Sequence, residues 1–182
     1  AIPSTYAVVV LLEWLSDDTS GYELRGFFGG DVITDPVHPL FLGATDCLAI
    51  TAEASGLLWG ALWRLAQPDV LPAHFWFDNT LAGFSSAGHI NWHAAPLICR
   101  VLRSVFQLLE RVCEVGWHHV KGHSGQPHNE LADSIARSHA HRSSDYGICC
   151  GHVLGQWIRT APDVLPWLWF LHSHGNSPDY PR

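Results

Sequence analysis

Hydrophobic residues come in two rhythms along the chain. Tyr6–Trp14 (YAVVVLLEW) is an apolar, β-branched run of the kind found inside a sheet. Ser16-Asp17-Asp18-Thr19-Ser20-Gly21 is a cluster of turn formers, and Tyr22–Phe28 (YELRGFF) alternates, which predicts a hairpin. Gly29–Asp46, punctuated by Pro36, Pro39 and Gly43, reads mostly as loop. From Leu48 to Ala66 the period changes. Ala54, Leu58, Ala61, Leu62 and Leu65 recur at three- and four-residue steps, one face of a helix that Gln67-Pro68-Asp69 stops. His74–Phe77 is a short apolar strand ending at Asp78-Asn79. Ala95–Val112 is a second helix, with Leu97, Val101, Val105, Leu108 and Leu109 expected inward. Val115–Val120 is a strand, Lys121–His128 a loop, and Asn129–His139 a helix with Leu131 and Ile135 on one side and Asp133 round the other. The predicted order, β-β-α-β-α-β-α, is an α/β pattern with an antiparallel start. It places a domain over residues 1–142 and a separate appendage, without evident role, over 143–182.

Composition narrows the class. At 182 residues and 47% apolar the chain is long enough for one packed domain and too apolar for disorder throughout. No apolar run approaches the roughly 20 residues of a membrane helix, so no membrane partner is expected. Ten Lys and Arg against seventeen Asp and Glu give a formal charge of −7, which by itself does not advertise a polyanion partner. Five Cys, none in a C-x-x-C pair, and no secretory signal favour reduced thiols and an intracellular setting, cytoplasm or nucleus. The chain has no Met and opens Ala-Ile-Pro, which suggests a fragment, a processed product or an incomplete gene product.

Chemistry concentrates in Gly116–Arg137, GWHHVKGHSGQPHNELADSIAR. A strand leads into Lys-Gly-His-Ser-Gly, and Asn-Glu-Leu-Ala-Asp follows at the start of a helix. This stretch resembles the C-terminal signature of ribonuclease H type 1 domains, which also occur in retroelement reverse transcriptase polyproteins. Two further pieces fall in the family's order: Glu53 opening the first long helix in Thr51-Ala52-Glu53-Ala54, and Asp78 ending the strand after it. The resemblance spans about Tyr6–Arg142. It implies a ribonuclease H-like α/β fold, a mixed five-stranded sheet with helices on both faces. It also implies hydrolysis of the RNA strand of RNA–DNA hybrids with two Mg²⁺ or Mn²⁺ ions, possession of a larger host polyprotein, and no fixed expectation of oligomeric state. By the same resemblance Glu53, Asp78 and Asp133 are metal ligands, His123 a proton shuttle or product-release residue, and Asn79, Lys121 and Asn129 substrate or orienting residues.

The residue types suit that chemistry. Two divalent ions about 3.5–4 Å apart stabilise both the attacking and leaving oxygens of a phosphodiester, and carboxylates are the hard oxygen ligands that hold them. Strand ends and helix starts are rigid places from which distant carboxylates converge. Each residue also has a plainer reading: Asp133 as a solvated helix residue, Asp78 as a helix N-cap, Glu53 as a surface ion pair, His123 as an ordinary loop residue. Zinc at His118-His119 is disfavoured because alternation points the two rings to opposite faces. Trp59, Trp63, Trp76 and Trp117 are packing residues on this reading. Bulk acidity leaves room for a local basic cleft around Lys121, Arg100, Arg103 and Arg137.

The family's Asp on its first strand has no counterpart before Glu53. Either Tyr6–Trp14 matches the second strand, with the central first strand missing, or it is the first strand, with His38–Leu42 supplying a third and Glu13 standing nearest the vacant carboxylate position.

Overall fold

A computed structural model describes residues 4–141; the appendage expected over 143–182 lies outside them. The described chain runs β1 (Thr5–Ser16), β2 (Thr19–Asp31), α1 (Ala49–Leu65), β3 (Ala73–Phe77), α2 (Thr80–Ser86), α3 (Pro96–Glu110), β4 (Val115–His119) and α4 (Pro127–Ala140). It is mixed α/β, and its strands form two two-stranded sheets, β1–β2 and β3–β4. The chain divides into two bodies: residues 4–6 with Asp31–Ser124, and Ala7–Gly30 with 125–141.

The first body is built on α1. Its predicted face holds: Ala54, Leu58 and Ala61 are fully buried, with Leu62 and Leu65 beside them at the core's edge. α1 packs on α2, α3 and β3. β3 and β4 run parallel in the register Ala73↔Val115 to Phe77↔His119. Parallel pairing needs a crossover connection, which α2 and α3 supply. Phe77 inserts into the core, and Phe106 meets Phe75 edge-on at 4.8 Å.

Three sequence expectations are corrected. In α3 the inward residues are Ile98, Leu102, Phe106 and Leu109, whereas Leu97 and Leu108 are exposed. The apolar arc of this helix is wide: its centre, carrying the bulky Phe106, turns inward, Val101 and Val105 pack half-buried against the core as expected, and Leu97 and Leu108 fall outside it. His38–Leu42 is not a strand: it forms turns, with the His38 N–H donating to the Asp35 carbonyl (3.1 Å) and the Phe41 N–H to that of His38 (3.0 Å). Pro39 has no N–H to give a ladder. Finally, α2 is a helix the periodicity does not announce, because seven residues span only two turns. It forms on a cap instead: the Asn79 side-chain oxygen accepts the N–H groups of Leu81 and Ala82, each at 3.1 Å.

Arg64 ties the end of α1 to the approach to β3. Its buried guanidinium donates to the Asp69 carboxylate (2.7 Å) and to the Leu71 carbonyl (2.6 Å).

The second body holds the hairpin and α4. Ser16 and Thr19 hydroxyls share a hydrogen bond of 2.8 Å across the turn. Leu131 and Ile135 are buried, as their spacing predicts, along with Phe27 and Phe28 of β2. Tyr22 meets the His128 ring edge-on at 5.7 Å.

Candidate functional site

Two acidic residues distant in sequence meet in the first body. β3 is pinned to β4 by the Val120 N–H donating to the Phe77 carbonyl (2.8 Å), so the chain leaves the sheet at Asp78 from a fixed point. On α1, Glu53 sits half-buried between the buried pairs Thr51-Ala52 and Ala54-Ser55. Thr51 donates its hydroxyl to the Asp46 carboxylate just ahead of the helix, and Ser55 donates to the Thr51 carbonyl (2.7 Å). These contacts fix the first turns of α1. The outcome is that the Asp78 N–H donates to Glu53 Oε1 at 3.4 Å, across 25 residues of sequence.

The loop after β4 passes close to Asp78. A Cβ built on Gly122 would stand 3.0 Å from Asp78 Oδ2, so a side chain there would make the loop or the carboxylate give by a few tenths of an ångström. His119, on the face opposite His118, has its ring nitrogen Nε2 3.2 Å from the Asp78 carbonyl. His123 is exposed and holds a left-handed backbone with φ 54°, a conformation that costs a non-glycine residue of order 1–3 kcal/mol. Lys121 is exposed, and its carbonyl accepts the Ser124 hydroxyl at 2.6 Å.

The second body carries the remaining predicted residues on α4. Gln126 caps the helix, its side-chain oxygen accepting the Asn129 N–H at 2.7 Å, and Pro127 occupies the first turn, where a missing N–H costs nothing. Asp133 is half-buried, with one carboxylate oxygen 3.9 Å from the Arg137 guanidinium. The Asn129 side-chain nitrogen is buried with no hydrogen-bond partner among the described residues. Glu130, which the spacing argument passes over, is buried at 3% exposure and accepts the Gly125 N–H at 3.3 Å. It stands one turn from Asp133, with carboxylate oxygens within 4.8 Å of each other. A glutamate is rarely buried, and this burial becomes visible only once α4 is packed. Burial also lowers the pKa of the neighbouring His128.

Asp78 is not a helix cap; Asn79 is. Glu13, the alternative first-strand acid, is engaged with Tyr22, whose pKa is raised by burial and by the Glu13 charge and hydrogen bond. Arg103 is matched by Glu110 at 3.1 Å, which reduces its availability to an anion. It borders, with Arg100, an open cleft of about 450 Å³.

All four acids are hard oxygen donors of the type that Mg²⁺ and Mn²⁺ take; the Glu130 and Asp133 oxygens lie within 4.8 Å of each other, and Glu53 is tied to Asp78 through the Asp78 backbone N–H.

Two curated proteins resemble part of the chain. A protein named Ribonuclease H from Bartonella tribocorum (strain CIP 105476 / IBS 506) is 44% identical over 50 residues, 26% of this chain and 32% of its own. One of the same name from Bartonella bacilliformis (strain ATCC 35685 / KC583 / Herrer 020/F12,63) is 42% identical over 50 residues, with the same shares. The chain spans about a third of the length of these relatives. No protein-family pattern matches it, and no solved structure does. No helix among the described residues is long and apolar enough to cross a membrane. The two matches support a ribonuclease H-like domain within the chain.

Proposed function

We propose that the chain belongs to an endonuclease of the ribonuclease H type, hydrolysing the RNA strand of RNA–DNA hybrids, on a five-stranded ribonuclease H-like sheet. The single observation that carries this reading is the hydrogen bond from the Asp78 backbone N–H to the Glu53 carboxylate at the end of β3, with the Gly122 loop beside Asp78. The partial relatives named Ribonuclease H support it.

On this reading Glu53 and Asp78 hold divalent cations, Mg²⁺ or Mn²⁺, with Asp133 proposed as a further ligand on the sequence resemblance alone. Such ions, when bound, activate water and stabilise charge on the oxygens of the scissile phosphodiester. The chain's own groups do the rest. Glu53 fixes the backbone entering Asp78. The imidazole of His123, in an exposed loop, moves a proton to the leaving oxygen. Lys121 presents an ammonium to a phosphate, and Asn129 helps to orient the site. Asn79, its side-chain oxygen committed to α2, contributes through its amide nitrogen. Selection of the RNA strand would come from contacts to 2′-hydroxyls. A larger retroelement polyprotein and an intracellular setting are part of the same proposal.

The test is a labelled RNA–DNA hybrid with Mg²⁺. The expected result is cleavage of the RNA strand that Asp78→Asn and Glu53→Gln each abolish; cleavage surviving Asp78→Asn would overturn the assignment. A second reading, a nucleic-acid-binding remnant without catalysis, is favoured by β1, whose one acid is occupied with Tyr22. It predicts retention of hybrid in a filter-binding assay with no cleavage at any Mg²⁺ concentration.

A further inference from the structure

The outer face of the β3–β4 ribbon carries three aromatic rings in a row. Trp76 pairs with His118 in the parallel register and His74 with Gly116, so alternation places His74, Trp76 and His118 on one face. The Trp76 and His118 rings stack with centroids 4.4 Å apart and planes within 19°. The His74 ring lies 5.0 Å from that of His118, with His74 Nδ1 and His118 Nε2 2.9 Å apart. His74 and Trp76 are exposed and His118 is half-buried.

We propose that His74 Nδ1 and His118 Nε2 form a two-imidazole site for a borderline divalent transition-metal ion of the Ni²⁺ or Cu²⁺ class, distinct from the carboxylate pairs.

Three features carry this. First, the separation fits. Imidazole nitrogens bind such ions at about 2.0–2.1 Å, so two cis ligands at a right angle stand about 2.9 Å apart, whereas a tetrahedral site needs about 3.3–3.4 Å. The two nitrogens hydrogen-bond at 2.9 Å, which matches the right-angle separation, so an ion of the Ni²⁺ or Cu²⁺ class that displaces the shared proton into solvent fits with less movement of the rings than tetrahedral Zn²⁺ would need. Second, the rings are held: His118 is fixed under Trp76, and its nitrogen faces its partner from the adjoining strand. Third, space is reserved. A Cβ on Gly116 would stand 2.4 Å from His74 Nδ1 and 3.1 Å from His118 Nε2, so a side chain there would push the two nitrogens apart. Exposure of His74 leaves an entry path and room for water to complete the shell. A bound ion would join the two parallel strands that end at Asp78 and at the Gly122 loop, stabilising the ribbon in proportion to metal concentration.

The experiment is calorimetric titration of the 182-residue chain with Ni²⁺ alone, an ion that does not oxidise the exposed Cys47 thiol. The expected result is a tightest step of one ion per chain, lost in His74→Gln and in His118→Gln, weakened in Gly116→Ala, and kept in His89→Gln, Cys47→Ser and Asp78→Asn. His74 is exposed, so His74→Gln leaves the fold intact, which far-ultraviolet circular dichroism checks. Persistence of the tightest step in His74→Gln, or its absence from the wild-type chain, would show that the two rings share only a proton. Its loss in Asp78→Asn instead would assign the ion to the carboxylates, so this proposal fails separately from the hydrolytic one.

Discussion

Gly122→Ala is a small change with a calculable consequence. The added methyl would stand 3.0 Å from Asp78 Oδ2, while ordinary contact at a Cβ begins near 3.4 Å. Either the loop or the carboxylate must therefore retreat by about 0.4 Å, the difference between those two distances. Sites for Mg²⁺ demand near-ideal geometry, with ligand distances good to about 0.2 Å. The displacement is about twice that tolerance, and lost orientation of a metal ligand typically costs about tenfold or more in affinity. The backbone itself is indifferent to the substitution, because Gly122 lies outside the left-handed region. Replacing glycine by alanine at a compatible position even favours folding by about 0.4–1 kcal/mol. The expected signature is thus a paired one: Mg²⁺ binding, read by calorimetry, and hybrid cleavage both shift to about tenfold higher Mg²⁺, while the thermal midpoint holds or rises. Gly125→Ala supplies the contrast. Its φ of 84° strains any side chain, so it lowers the midpoint without a methyl directed at Asp78. Identical Mg²⁺ half-saturation in wild type and Gly122→Ala would refute the claim that this glycine serves the carboxylate.

Four other outcomes follow from the packing and the ionisable groups. Phe106→Ala empties the fully buried contact with Phe75 and should cost about 3–5 kcal/mol in urea unfolding, against under about 0.5 kcal/mol for exposed Leu108→Ala; similar losses at the two sites would reverse the inward face assigned to α3. Asn79→Ala removes the cap of α2 and should lower stability by about 1 kcal/mol, with Asn79→Asp restoring most of it; equal loss in both would mean that capping is not its role. Arg64→Lys should destabilise nearly as much as Arg64→Ala, since an ammonium cannot reach both the Asp69 carboxylate and the Leu71 carbonyl in the same planar way. Burial keeps His128 neutral in the folded chain at pH values where the unfolded chain takes up a proton, below about pH 6.5. Stability attributable to this residue is therefore constant above that pH and declines as pH falls through it. Urea unfolding at stepped pH should show a shallower acid decline in His128→Gln than in wild type.

Helices with one apolar stripe were legible because burial of a stripe is what makes a short helix stable. α1 and α4 bury the residues their spacing marks, Leu58 and Ala61 in one, Leu131 and Ile135 in the other. α3 has apolar residues on too broad an arc for spacing alone to locate its centre, and side-chain volume decides: Phe106 goes in and Leu108 stays out. α2 was hidden for a different reason. Its stability rests on a local cap and on tertiary cover of Ala82 and Ser86, neither of which leaves a periodic trace over seven residues. The turns of His38–Leu42 follow from prolines that could be read either as a strand edge or as a break, and only long-range pairing distinguishes the two.

The candidate site shows the same division between what a pattern states and what packing supplies. Residue type and order singled out Glu53 and Asp78, but nothing in their spacing says that the two meet. Their approach depends on Arg64 fixing the entry to β3, on Phe77 being buried, and on the Thr51 and Ser55 hydrogen bonds that set the first turns of α1. Each of these is a short-range contact between ordinary residues. The Lys-Gly-His-Ser-Gly loop, conversely, is conspicuous in sequence yet owes its meaning to one absent methyl group. If Gly122 carried a side chain, either the loop bearing His123 or the Asp78 carboxylate would have to retreat by a few tenths of an ångström. How closely the backbone approaches the Asp78 carboxylate is therefore something that residue identity permits and only the surrounding core fixes.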